Sequence, residues 1–216
     1  IEIIQPEELI AIIDSVENID CFGDANGVAR VTVSGGTGDY TYLWNTTAGH
    51  TTELATGLAA GEYIVTVTDE NGCEAKDTIE ITQPDELIAV IDSVEHVNCF
   101  GGTDGFARVA VSGGTLPSNF AWSGPGGFTA ATDEITGLTD GEYIVTVTDD
   151  NGCKAKDTIE ITQPEELIAL IDSVGHVNCF GGTDGFARVV VTGGTLPYNF
   201  AWSGPGGFTT ASDEIT

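Results

Sequence analysis

Three unrelated residue types recur along this chain with one period. Gln-Pro occurs at Gln5-Pro6, Gln83-Pro84 and Gln163-Pro164. Cysteine recurs at Cys21, Cys99 and Cys179, and tryptophan at Trp44, Trp122 and Trp202, each series stepping by 78 and then 80 residues. A period of this length restricts the chain to a tandem array of one small unit. The expected organisation is the last strand of a preceding unit over residues 1–6, complete units over 7–84 and 85–164, and a partial third unit over 165–216. Ile1-Glu2-Ile3 matches Ile79-Glu80-Ile81 and Ile159-Glu160-Ile161, while Thr216 matches Thr136, before any third copy of Gly141–Asp149. The chain therefore reads as a window on a longer array. The two-residue difference between periods falls in one loop, since Trp44 to Gly57 spans 13 positions and Trp122 to Gly137 spans 15. Residues 86–136 and 166–216 differ at seven of 51 positions, which points to recent duplication of units whose number is useful.

Within a unit the hydrophobic pattern has period two, and no helical period is sustained. Ala29, Val31 and Val33 alternate with Arg30, Thr32 and Ser34, and Tyr63, Val65 and Val67 alternate with Ile64, Thr66 and Thr68. Gly35-Gly36 and Asp69-Glu70-Asn71-Gly72 carry the residues that turns require. Tyr40, Tyr42 and Trp44 share one face of a strand, as do Phe120 and Trp122, and Phe200 and Trp202. A Trp strand followed by Leu58-x-x-Gly61-x-Tyr63, repeated as Leu138-x-x-Gly141-x-Tyr143, is an immunoglobulin-like pattern in which the Tyr hydroxyl anchors a corner. The expected fold is all-β: tandem immunoglobulin-like (fibronectin III/PKD-like) sandwiches of six or seven strands.

Charge narrows the partners. Thirty-four acidic residues face six basic ones, a formal −28. Such a surface repels nucleic acid and anionic membranes, which bind through Lys/Arg patches. No apolar run approaches the ~20 residues of a spanning helix, so no membrane insertion is expected. Catalysis finds no footing, because no Ser/His/Asp order recurs with the units, no phosphate-cradling loop opens a helix and no carboxylate pair stands out.

The unit resembles the SprB repeat of very large surface adhesins of gliding Bacteroidetes. The resemblance rests on Cys99-Phe100-Gly101-Gly102-Thr103-Asp104-Gly105, Gly113-Gly114-Thr115 and Trp122. It continues through Gly137-Leu138-x-x-Gly141-Glu142-Tyr143, Val145-Thr146-Val147-Thr148-Asp149, Asn151-Gly152-Cys153 and Ile161-Thr162-Gln163-Pro164. It implies export to the cell surface by the type IX route and a structural place in an adhesin or filament stalk, with gliding motility one context. The alternative is a module binding glycans, surfaces or calcium within such an adhesin. Exported proteins resembling this one carry O-glycans on Asp-Ser/Thr followed by a small or aliphatic residue. That triplet marks Ser15, Ser93, Ser173, Thr78 and Thr158 as candidate acceptors.

In an exported protein, one cysteine pair per unit reads as a structural disulfide. The pairs are Cys21 with Cys73 and Cys99 with Cys153, leaving Cys179 to a partner beyond the window. Strand parity offers a check. Four strands between the cysteines put both at one end of a sandwich, where they can bridge. Five put them at opposite ends, where an early cysteine would meet the late cysteine of the next unit. Asn45–Thr56 looks too short for two full strands, and the expectation is the bridge within each unit. His96 and His176 precede Cys99 and Cys179 by three residues, a poor zinc signature without a second close pair. No cofactor is expected. Calcium is the one ion considered, through the linker acids Glu7, Glu8, Asp85 and Glu86 and the turns Asp69–Gly72 and Asp149–Gly152, although the ordered calcium-loop motif is absent. The expected partners are neighbouring repeats of the same chain. Phe128 and Phe208, on glycine-rich loops, are the candidate contacts to surface glycans or to other copies in a filament.

Overall fold

A computed structural model describes residues 1, 3–204 and 209–215. In the first repeat the strands are β1 (Ile10–Glu17), β2 (Gly27–Ser34), β3 (Thr41–Trp44), β4 (Leu54–Leu58), β5 (Gly61–Thr68) and β6 (Glu74–Ile81). The second repeat has β7 (Ile88–Glu95), β8 (Gly105–Ser112), β9 (Asn119–Gly124), β10 (Phe128–Ala130), β11 (Glu134–Leu138), β12 (Gly141–Thr148) and β13 (Lys154–Ile161). The third has β14 (Ile168–Gly175), β15 (Phe186–Thr192), β16 (Trp202–Ser203), β17 (Thr209–Thr210) and β18 (Glu214–Ile215). The expected all-β fold is what forms, and its only helical piece among the described residues is a 3₁₀ turn at Pro125–Gly127. Ile1 and Ile3 are exposed and lie in no strand.

Each complete repeat is a two-sheet sandwich. The first pairs β1-β2-β4 against β3-β5-β6, and the second pairs β7-β8-β11 against β10-β9-β12-β13. Period-two alternation aims Ala29 and Val31 of β2, Trp44 of β3, Ala55 and Leu58 of β4, Val65 and Val67 of β5 and Ile81 of β6 into one core. Their counterparts Ala107, Val109, Trp122, Ile135, Leu138, Val145, Val147 and Ile161 are buried as well. In the third repeat no described residue is buried. Its sheets among the described residues are β14-β15-β18 and β16-β17.

Polar contacts fix the register. Trp44 and Trp122 donate their indole N–H to the carbonyls of Thr52 and Thr132, 3.0 and 2.9 Å away, so neither ring buries an unpaired donor. The tyrosine corner forms as expected: the Tyr63 hydroxyl donates to the Ala59 carbonyl, and the Tyr143 hydroxyl accepts the Thr139 N–H. A register shift between Ile13 and Ser15 places a bulge at Asp14 on β1. The Ile13 N–H there donates to Asp77 Oδ2 on β6, 2.7 Å away, and Ile91 and Asp157 repeat the contact at 2.7 Å. One carboxylate thus ties the edges of the two sheets.

Contacts gather the chain into two compact units that do not follow the repeat boundaries. The first comprises Ile1–Ala89, Val111–Asn119 and Thr146–Lys156, and the second Val90–Ala110, Phe120–Val145 and Asp157–Thr216. The first unit therefore contains the whole first repeat together with the second repeat's turns at 113–115 and 149–153.

Candidate functional site at the repeat junction

Two loops at opposite ends of a sandwich make the site. At the trailing end, where β6 leaves, Asp20–Asn26 forms a closed loop. Asn26 donates to Asp20 through its side-chain amide at 2.8 Å, and its Oδ1 accepts the Asp20 N–H. In the second repeat the two residues are exchanged: Asn98 donates to Asp104 from both its side chain and its backbone. Those two donors, the side-chain amide foremost, hold the Asp104 carboxyl below the usual carboxylate range. The third repeat keeps the same ring with Asn178 and Asp184. The loop is also tied to the exit strand. The Ile19 N–H donates to the Thr82 carbonyl, and the Gly23 N–H to Gln83 Oε1 at 2.9 Å. Val97 with Thr162, and Gly101 with Gln163, copy these bonds. The Gln of the Gln-Pro linker therefore secures the loop that presents the early cysteine.

At the leading end the linker passes the Gly-Gly turn. The Gly36 N–H donates to the Glu7 carbonyl, Gly114 to Asp85 and Gly194 to Glu165. Gly35 has φ +73°, and a Cβ there would lie 1.9 Å from the Glu8 carbonyl oxygen, so only glycine fits. Beside this turn Asp69 is buried, and its carboxylate accepts the N–H groups of Thr37, Asn71 and Cys73 at 3.0, 3.0 and 2.8 Å. The Cys73 N–H is the largest of the causes that hold the Asp69 carboxyl below its ordinary range, and burial opposes them. Asp149 accepts from Thr115 and Cys153 in the same way, at 2.9 and 2.9 Å. These acids organise the turn that presents the late cysteine. Among the described residues no group of three or more His, Cys, Asp or Glu is gathered for a metal.

The disulfide that forms joins Cys21 to Cys153, with Cα atoms 5.7 Å apart and a sequence separation of 132. The expected Cys21–Cys73 and Cys99–Cys153 bridges are thereby corrected. Cys73, Cys99 and Cys179 are free and exposed. The reason lies in strand direction. β2 and β5 both start beside Ile81, with Gly27 close to its side chain and Gly61 paired with it. β3 runs antiparallel to β5, pairing Thr41 with Thr68 and Trp44 with Val65, and β4 runs antiparallel to β2, pairing Arg30 with Leu54 and Gly27 with Leu58. β3 and β4 therefore run the same way, each covering half the sandwich, and together count as one traverse. Four strands separate Cys21 from Cys73, yet the chain crosses the sandwich an odd number of times. Cys21 sits at the trailing end and Cys73 at the leading end. In the second repeat β10 runs back along β9, pairing Phe128 with Gly124 and Ala130 with Trp122, and five strands put Cys99 and Cys153 at opposite ends as well.

Around the bond the junction is hydrogen bonded. Asn151 Nδ2 donates to the Asp20 carbonyl at 2.9 Å and lies 3.2 Å from Thr115 Oγ1. Sequence reasoning placed Asn151 in a turn considered for calcium and in the family motif, and missed its contact with the Asp20 loop. Of the other candidates, Phe128 is half-buried and packs edge-on against Tyr143, ring centroids 5.3 Å apart at 80°, so its ring is engaged by its own repeat. Phe208 lies outside the described residues. Ser15, Thr78 and Thr158 are exposed, whereas Ser93 and Ser173 are half-buried. The aspartates of these triplets already have structural partners. Asp14 accepts the Thr32 hydroxyl, Asp92 and Asp172 accept Arg108 and Arg188, and Asp77 and Asp157 cap the bulged strand.

Paired antiparallel sheets, a core Trp and a tyrosine corner, copied along one chain, define a tandem immunoglobulin-like β-sandwich protein. The chain belongs to the SprB repeat family, whose model matches residues 13–49, 91–127 and 173–207. A search of curated proteins finds no match. Similar solved structures include a tetra-tandem repeat in the extending region of a large adhesion protein, 13% identical over 96% of this chain, with a TM-score of 0.30. The chain spans 64% of that structure's length. An amphioxus IgVJ-C2 molecule is 16% identical over 71% of this chain and 99% of its own, with a TM-score of 0.32. A C-terminal 282-residue fragment of intimin, in complex with the intimin-binding domain of the translocated intimin receptor, is 15% identical over 77% of this chain and 67% of its own, with a TM-score of 0.36.

Proposed function

We propose that this chain is a spacer segment of a long extracellular adhesin or filament stalk, exported by the type IX route and without catalytic function. The observation that carries this reading is the Cys21–Cys153 bond, which couples one repeat to the next and belongs to an oxidising compartment. Family membership and near-identical successive units support it: a spacer lengthens by duplication, because stability in such arrays is close to a sum over units and their junctions. The −28 charge keeps neighbouring arrays apart and soluble. In a gliding cell such a stalk would carry an adhesive tip away from the surface.

Removing one whole unit from the array displayed on cells tests the reading. The expected result is a shorter reach with tip binding and unit stability retained. Loss of target binding while the tip is still displayed would assign recognition to the repeats instead. As to glycans, the exposed hydroxyls of Thr78 and Thr158 are the favoured acceptors. Peptide mass spectra of native material with both threonines bare would remove that assignment.

A further inference from the structure

The parts that make the Cys21–Cys153 bond recur where no partner is present in this chain. Cys99 and Cys179 stand on the same hydrogen-bonded loop as Cys21: Gly102 donates to the Cys99 carbonyl and Gly182 to the Cys179 carbonyl, as Asp24 does to that of Cys21. Cys73 stands on the same turn as Cys153, its N–H held by the buried Asp69 as that of Cys153 is by Asp149. All three thiols are exposed. Within a repeat an early and a late cysteine lie at opposite ends, so none of the three has a partner in its own sandwich.

We propose that the junction bond is periodic: wherever one of these units follows another, the early cysteine of the first is oxidised onto the late cysteine of the second. Cys73 is then the acceptor for a preceding unit, and Cys99 and Cys179 are donors to following ones. Each bond removes two thiol protons and two electrons. A small disulfide such as oxidised glutathione takes up both and leaves as two thiols.

The links overlap, and this sets how the array carries load. A pull that enters before Cys21 crosses to Cys153, follows roughly 26 residues to Cys179 and crosses again. Every two repeats, roughly 160 residues, then contribute only that stretch of extensible chain. At ~3.5 Å per residue the limit is about 90 Å rather than about 550 Å. Bridges closed within each unit would shield only about 50 residues apiece, and every linker and terminal strand would remain on the load path.

The test extends this chain past Thr216 with a copy of residues 137–164, which completes the third unit and adds one cysteine, and oxidises it with a glutathione couple. The expected result is that the added cysteine links to Cys99 and that free thiols fall from three per chain to two. A bond from the added cysteine to Cys179, or no bond and four thiols, overturns the proposal. Cys21→Ser in the extended chain guards against misfolding: Cys153 should become a free thiol while the Cys99 bond persists, and migration of Cys153 to Cys99 would count against the proposal. Reductant applied to the present chain under constant force gives an independent reading. Cutting one bond between cysteines with a sequence separation of 132 should release a single step approaching about 450 Å, whereas two steps of about 180 Å would mean bridges within units. The extended chain can fail to form the Cys99 bond while the Cys21–Cys153 bond and the spacer reading stand, and the unit deletion can fail while the periodic bond stands.

Discussion

The first and second repeats share nearly every core position, yet they close the chain after the Trp strand differently. In the first, Asn45–His50 forms a short loop: Trp44 donates to the His50 carbonyl, and Thr46 Oγ1 lies 2.8 Å from His50 Nδ1. In the second, two more residues allow Pro125–Gly127 to turn and β10 to return along β9, widening that sheet from three strands to four. Phe128 then covers Tyr143, which becomes fully buried, while Tyr63 stays half-exposed. Gly124 lies under the Tyr143 ring, where a Cβ would come within 2.4 Å of the ring carbon Cδ1. A second difference is electrostatic. Arg108 and Arg188 pair with Asp92 and Asp172, but Arg30 pairs with Glu53. Position 32 explains it: Thr32 donates its hydroxyl to Asp14 at 2.7 Å, whereas Ala110 and Val190 leave the equivalent aspartate to the arginine. Two residues and one hydroxyl thus alter a sheet edge and an ion pair, while the loop and the turn that present the cysteines keep the same backbone hydrogen bonds.

The two repeats should differ most at the tyrosine corner. Tyr143→Ala should cost about 3–5 kcal/mol, the range for emptying a buried aromatic site, and Tyr63→Ala clearly less. Denaturant unfolding followed by amide exchange in each repeat reads the two separately, and equal costs would mean that the β10 hairpin adds nothing. Next, Gly124→Ala should destabilise the second repeat by about 1–3 kcal/mol through overpacking against Tyr143, while Thr46→Ala, at the same distance from its Trp, should cost under half as much. The same unfolding series decides this.

Acid gives a smaller contrast. The folded-state carboxyls of Asp69 and Asp104 lie below their unfolded values. Their contribution is therefore complete above the unfolded value near 4 and is lost as pH falls through the folded value. Asp69→Asn should flatten the acid limb of stability in the first repeat, and Asp104→Asn that of the second, as measured by thermal midpoints between about pH 5 and pH 2. The smallest effect belongs to Thr32→Ala, which should move Arg30 onto Asp14 with little change in midpoint, because exposed ion pairs contribute little. Arg30 remaining on Glu53 in a structure of the variant would show that Thr32 is not what diverts it.

Much of this was legible in the residues. Alternation placed β2 and β5, the Leu-x-x-Gly-x-Tyr signature placed the corner, and the Trp-to-Gly spacing located the insertion that becomes β10. The cysteine partners were not legible, because pairing depends on which end of the sandwich each loop occupies. That in turn depends on β3 and β4 running the same way in different sheets, which a count of strands does not reveal. The role of Asp77 was hidden for a similar reason: it caps a bulge 64 residues away, and nothing local to Asp77-Thr78-Ile79 signals it. A usable clue did exist at Gln83, since the Gln-Pro linker and the early cysteine share the same repeat period and the structure puts both at the trailing end.

The covalent link runs between repeats. Peptide mapping of the unreduced chain, with a thiol count under denaturing conditions, tests it most directly. The expected result is one crosslinked peptide pair joining Cys21 to Cys153 and three free thiols, at Cys73, Cys99 and Cys179. A single free thiol, with Cys21 linked to Cys73 and Cys99 to Cys153, would contradict it.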